Sequence, residues 1–177
     1  KRGYGRIYRI TRKDKPMDRP SIDLKTIDGQ IQALRNAAIN VRNEGYRRLI
    51  EGGDKNLPQL LPLLNDQNPS IQARALWLIS RLGAAGKSET EKLLDHSNPI
   101  MRAVAYRALR QASDDILPYA KRMMRDTSAF VRREVILSLQ AVPLADSKEL
   151  LLVLMNNFDA SDRWYVEALG AAMETDA

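Results

Sequence analysis

The sequence contains no cysteine. That excludes disulfides, thiolate metal sites, a cysteine nucleophile and covalent c-type haem attachment within this stretch. It has a single histidine, His96, so a zinc site of the usual ligands or a Ser-His-Asp arrangement lacks its material. His96 follows Leu93-Leu94-Asp95 near a helix end, where a cation also complements the helix dipole, and reads as structural. Aromatic residues make up only 6% of the chain, while Ala and Leu are abundant, which suits helices better than sheets. The longest apolar run, Leu150 to Met155, is far short of the roughly 20 residues that a membrane-spanning helix needs.

Other catalytic signatures are equally thin. Gly83-Ala84-Ala85-Gly86-Lys87-Ser88 ends like a phosphate-binding loop, but Arg81 stands where the first glycine belongs and no strand precedes it, so it reads as an interhelical turn. The pair Asp114-Asp115 suits the positive end of a helix better than acid-base work. Met101, Met123 and Met124 fall at core positions, not in a copper-binding box. The expectation is a stretch with no catalytic residue, no metal ligand and no cofactor of its own.

The hydrophobic fraction of 44% and charged fraction of 28% over 177 residues are ordinary for a globular chain able to bury a core. The net charge of +6 is unevenly placed. Eight Lys or Arg and two Asp stand in residues 1–20, which alone carry +6; the rest of the chain holds 20 basic and 20 acidic residues of the total 28 and 22. A nucleic-acid-binding array needs Lys and Arg gathered on its own surface, so the charge balance argues against that function beyond residue 20.

A repeat of 30 residues organises most of the chain. Leu49, Ile79, Leu109, Leu139 and Leu169 mark one register; Leu64, Leu94, Met124 and Leu154 mark a second. Asn68-Pro69 recurs as Asn98-Pro99, an N-cap followed by proline at the first helical position, where its missing N–H costs nothing. Around these marks lie paired amphipathic helices. Thr26 is expected to cap a short helix over 27–35. Helices near 40–52 and 56–65 make a first hairpin. The second hairpin begins at Asn68, with Gly83 and Gly86 ending its first helix. The third begins at Asn98, and the fourth carries Val131, Val135, Ile136 and Leu139, then Leu150 to Leu154. A fifth starts at Ser161 and keeps only its first helix, with Arg163, Trp164, Val166, Leu169 and Ala172. Two apolar seams per unit predict stacked hairpins, none able to bury its faces alone. Ahead of them, Gly3 to Ile10 alternate as a β-prone strand and 11–22 read as a linker with Pro16 and Pro20. The chain opens at Lys1 without a methionine, as expected of a piece of a longer polypeptide. This divides it into an extended arm, 1–26, and a helical solenoid, 27–177.

The hydrophobic-Arg pairs Val41-Arg42, Met101-Arg102 and Val131-Arg132, placed after Asp or Asn turns, resemble HEAT repeats of the short HEAT-like kind; Ile71-Gln72 interrupts the arginine ladder. That resemblance implies an all-α, HEAT-like superhelix of about five hairpins of ~30 residues. It also implies that these arginines donate between repeats to acidic residues, with Asp66 and Asp126 in place and His96 substituting in the middle. At the ends, Gly5-Arg6-Ile7-Tyr8-Arg9-Ile10 resembles the closing strand of a glucose/sorbosone-dehydrogenase-like β-propeller. Asp162-Arg163-Trp164-Tyr165-Val166-Glu167-Ala168-Leu169-Gly170 resembles a segment of membrane-bound dehydrogenases, in which a propeller, a HEAT-like region and a c-type cytochrome follow one another. The resemblance implies a non-catalytic interaction or spacer module within an oxidoreductase, located in the periplasm or cell envelope, with a protein partner, no nucleic acid and no direct membrane contact. Nucleic-acid binding is the alternative, and a HEAT-like bilin lyase a third reading for which no motif is present.

One outward position of successive units reads Arg47, Trp77, Arg107, Leu137 and Glu167, with Arg110, Arg133 and Arg163 beside it. An exposed tryptophan among arginines has the character of a binding hot spot, so Arg47, Trp77, Arg107, Arg110 and Arg133 are the candidate partner-binding residues. The competing expectation is that Trp77 packs into a neighbouring helix.

Overall fold

Thr26 starts the helical part of the chain. Its backbone is extended and its Oγ1 accepts from the Gly29 amide at 3.1 Å, satisfying one of the free donors of α1, Ile27–Leu34. In this computed structural model the described residues are 13–14, 21–158 and 162–173. The β-prone stretch 3–10, residues 11–12 and 15–20 of the linker, and Ser161 lie outside them.

The helices follow the predicted hairpins. Leading helices α2 (Ile39–Glu51), α4 (Pro69–Ile79), α6 (Pro99–Ala112), α8 (Ala129–Leu139) and α10 (Arg163–Met173) alternate with partner helices α3 (Leu57–Leu60), α5 (Gly83–Lys92), α7 (Leu117–Met123) and α9 (Leu144–Asn156). No strand occurs among the described residues. Asn68 and Asn98 cap α4 and α6 by accepting from the amides of Ser70 and Ile100, each at 2.9 Å. The residues of the main register, Leu49, Ile79, Leu109, Leu139 and Leu169, are all buried. In the second register Leu94 and Leu154 are buried, and Leu64 and Met124 partly so.

Three details differ from the expectation. The first partner segment is not one helix but 3-10 turns at Gly53–Asn56 and Leu61–Asn65 around the single turn of α3. Pro58 opens α3, and Pro62 lacks the N–H that would carry an α-helix onward. Gly83 and Gly86 do not close α4. Gly83 turns the chain at φ 71° and begins α5, and Gly86 lies within it. A β-carbon on Gly86 would meet the Ile79 carbonyl oxygen at 2.0 Å and Leu82 Cβ at 3.0 Å, so glycine is what lets α5 approach the end of α4. In α10, Tyr165, Ala168, Leu169 and Ala172 are buried, whereas Trp164 and Val166 are 59% and 56% exposed. Spacing of three, four and seven residues puts Tyr165 on the core side, where its hydroxyl donates to the Leu154 carbonyl at 2.9 Å.

The turns that lead into α2, α4, α6 and α8 are each closed by a pair of side chains six residues apart. Asn36, Asp66, His96 and Asp126 stand 30 residues apart and accept from the amide two residues on, at 2.8–3.0 Å. Six residues after each, a long donor reaches back across the turn. Arg42 binds the carbonyls of Asn36 and Ala37, Gln72 that of Asp66, Arg102 those of His96 and Ser97, and Arg132 those of Asp126 and Thr127. The expected acidic partner is present in one case: Arg102 holds Asp126 through two bonds of 2.7 Å, and both groups are largely buried. Asp66 pairs with Arg35 instead of Arg42. Arg132 donates to the Asn157 carbonyl of its partner helix's end.

The buried side chains form two clusters that meet at α4. Ile71, Ala75, Leu78 and Ile79 pack with Leu34, Leu49, Leu60 and Leu82, while Leu76 joins the larger cluster running from Leu94 to Ala172.

Three substitutions test this framework. Arg102→Ala strands the Asp126 carboxylate and two carbonyls, and should cost about 3 kcal/mol of unfolding free energy. Gln72→Ala removes one neutral donor and should cost about 1 kcal/mol; equal losses in urea denaturation would contradict the assignment. Gly86→Ala should destabilise by about 1–3 kcal/mol through overpacking, although alanine is the better helix former by about 1 kcal/mol. A stabilised variant in the same measurement would refute the close approach.

Candidate interaction face

The leading helices lie side by side, so residues 30 apart along them form rows. In the row that starts at Arg47, each member has its own surroundings. Arg47 is exposed at one end and is held by two carboxylates of its own helix, Glu44 at 2.8 Å and Glu51. With Arg48 also bound to it at 2.6 Å, the Glu44 carboxyl falls to about 2, chiefly through hydrogen bonds from Arg47 and then Arg48. Trp77 is half-buried against the larger core cluster, and its carbonyl accepts from the Tyr46 and Ser80 hydroxyls. The expectation of an exposed indole is not met; the packing alternative describes it better.

The middle of the face is an ionic and aromatic network. Arg107 donates from Nε to Glu134 at 2.7 Å and binds its second oxygen as well, while Glu134 is buried. The Arg107 pKa is raised, first by the hydrogen bond to Glu134. Arg133 donates to both oxygens of Asp162 at 2.7 Å. The two guanidiniums flank one ring, that of Phe130, at 5.8 and 5.2 Å from its centre. Arg110 is exposed at the last turn of α6, facing the loop that carries Asp114 and Asp115, and makes no ion pair among the described residues.

Beside this network, α8 and α10 leave an open groove of about 580 Å³, lined by Arg133, Glu134, Leu137, Trp164, Glu167, Ala168 and Ala171. Its lining is mostly apolar, and its charges at Arg133 and Glu134 are already neutralised. Trp164 stands at its edge under the Arg163 guanidinium, 5.3 Å from the ring centre. The structure thus brings Arg107, Arg133, Leu137 and Glu167 together, places Arg110 near a different loop, and leaves Arg47 at the far end. Sequence reading missed Phe130 and the exposure of Trp164. The signal for Trp164 was present, since Tyr165 has the better helical spacing to Leu169 and Ala172.

The groups weighed for catalysis have structural partners. His96 Nδ1 accepts from the Asn98 amide; Asp115 accepts from the Leu117 amide at 2.9 Å, at the start of α7; Lys87, within the helix α5 and not in a turn, lies over the Tyr119 ring. Met101 and Met123 are buried in the core. Among the described residues no helix is long and apolar enough to cross a membrane.

Residues 88–170, just under half of the chain, match the family model for HEAT repeats. No curated protein matches the sequence. With the helices ahead of that segment built on the same register, the fold is an all-α HEAT-like solenoid.

One titration reports on the packing between units. Burial pushes the Tyr106 hydroxyl up to about 12, against the smaller opposing effect of its 2.6 Å bond to Ser138. Its neutral form is favoured in the folded state. The folded chain therefore keeps its proton while the unfolded chain loses it, and stability should fall between about pH 10 and 12, by at most about 1.4 kcal/mol per pH unit. Tyr106→Phe should flatten that slope in denaturation curves measured across the range; an unchanged slope would mean that Tyr106 ionises without penalty.

Proposed function

We propose that this solenoid is a non-catalytic protein-interaction or spacer module, and that a partner protein docks on the face running from Arg107 and Arg133 to the groove between α8 and α10. The observation that carries this reading is the groove itself. An open apolar trough with a tryptophan at its edge, next to a guanidinium–aromatic network, combines the side-chain types that dominate binding energy at interfaces. HEAT repeats commonly mediate protein–protein interaction, which agrees with it. Arg107 and Arg133 would contribute as fixed, neutralised donors at the rim; Arg110, beside the loop of Asp114 and Asp115, and Trp77, on α4, lie outside the groove. Arg47 belongs to the same row but lies two units away.

The finer reading makes the partner the neighbouring domains of a multidomain dehydrogenase, with the module setting a propeller relative to a cytochrome. Its support is the resemblance of residues 5–10 and 162–170 to that family; the first lies outside the described residues and the second forms the start of α10. Nucleic-acid binding is less favoured. Phosphate recognition needs free cations, and Arg35, Arg47, Arg48, Arg102, Arg107, Arg122 and Arg133 are each held by a carboxylate.

Binding of the parent polypeptide's other domains, supplied separately and followed by calorimetry, tests both levels. Leu137→Ala with Trp164→Ala should weaken binding about tenfold or more, and Arg110→Ala less. Arg107→Ala should weaken it by a smaller factor than the groove pair, and Trp77→Ala only as far as folding suffers, judged by circular dichroism. Unchanged affinity in the folded groove variant removes the docking face; binding by none of those domains removes the dehydrogenase assignment alone.

A further inference from the structure

The register of the leading helices has a direction. At the position of Tyr46, Leu76, Tyr106, Ile136 and Val166 the side chain faces the following unit: the Tyr46 hydroxyl donates to the Trp77 carbonyl at 3.1 Å, and the Tyr106 hydroxyl meets Ser138 Oγ at 2.6 Å. Leu76, Tyr106 and Ile136 are 0% exposed, whereas Val166 is 56% exposed. The next position pairs with a residue 27 places on, in the following unit. Arg107 binds Glu134, and Leu137 shares its groove with Trp164. By the same spacing Arg47 would face Arg74, and there no pair forms: Arg47 turns to Glu44 and Glu51, and Arg74 donates to the Leu34 carbonyl. Charge is matched with opposite charge and apolar with apolar. Glu167 occupies this position on α10, is exposed, and makes no ion pair among the described residues.

The surface around it is apolar. Of nine large exposed hydrophobic residues among the described ones, six (Leu152, Met155, Phe158, Trp164, Val166 and Met173) lie between 152 and 173. This concentration marks the α9–α10 end of the array, not its length, as the unsatisfied surface.

We propose that Val166 and Glu167 form a docking surface for one more helical hairpin in the array's own register. Its leading helix presents Lys or Arg against Glu167 and, four residues later, an apolar side chain against Val166. The two requirements follow from Glu134 and Ser138, which hold these places opposite Arg107 and Tyr106. A second copy stacked head to tail does not meet them. The corresponding residues of its α2 are Glu44 and Arg48, on a side that α1 already covers: Gly45 lies against Gln30 and Ala33, and Arg48 donates to the Leu24 carbonyl.

The test appends a copy of residues 129–156 to the full chain through a flexible linker. In one version the copy carries Glu134→Arg and Ser138→Leu; in the other, Ser138→Leu alone. Circular dichroism reports whether the copy folds, and hydrogen exchange reports on α10. The first version should add helix and slow exchange of the α10 amides by about tenfold or more; the second should not. Glu167→Arg in α10 should reverse that preference. Equal protection by both versions, or no added helix and no protection from the first, overturns the proposal. So does a concentration-dependent dimer of the unextended chain that Val166→Lys abolishes, because a second copy would then cover the face.

Discussion

A long side chain laid back across the turn that precedes it is the interaction on which the stacking depends. A helical hairpin of this size cannot bury both its seams, and it becomes stable only where a neighbour covers it. That requires the turns between units to hold one geometry, and turns leave backbone carbonyls without partners. Arg42, Gln72, Arg102 and Arg132 supply those partners from the following helix, while Asn36, Asp66, His96 and Asp126 satisfy the amides. The device tolerates exchange of chemistry as long as donor and acceptor keep their places. Gln72 retains one bond where arginine makes two, and an imidazole nitrogen serves where a carboxylate would.

Much of this was legible because it is periodic. Apolar residues every 30 places, the Asn-Pro starts and the capping Thr26 fixed the hairpins and most of their ends. Long-range contacts were legible only where a repeat pattern predicted them, as for Arg102 and Asp126. The pairs Arg107–Glu134 and Arg133–Asp162 join residues 27 and 29 apart in separate helices, and nothing local to either sequence announces them. Gly83 and Gly86 misled for a physical reason. Glycine ends helices, but it also admits a neighbouring backbone, and only the distance to the Ile79 carbonyl separates the two uses. In α10, hydropathy favoured Trp164 and Val166 for the core, while helical geometry gave the place to Tyr165.

The same pairs change what the outward face can do. Read as a row of residue types it is basic; read with its carboxylates it is close to neutral, and its open character becomes apolar at Leu137, Trp164 and Ala171. A partner on the proposed face would be recognised by shape and desolvation more than by charge, which suits a protein surface better than a polyanion.

α4 is the helix through which the two buried clusters are joined, with Ile71, Ala75, Leu78 and Ile79 on one side of it and Leu76 on the other. A load pulling on the two ends of the solenoid must pass through that helix. Next to it lies the proline-broken segment around α3, whose short turns resist extension less than a full helix does. The segment 53–65 is thus the part of the array that is held by short turns and by its packing on α4, not by a continuous helix of its own. The first hairpin therefore depends on its neighbour for its shape more than the later ones do.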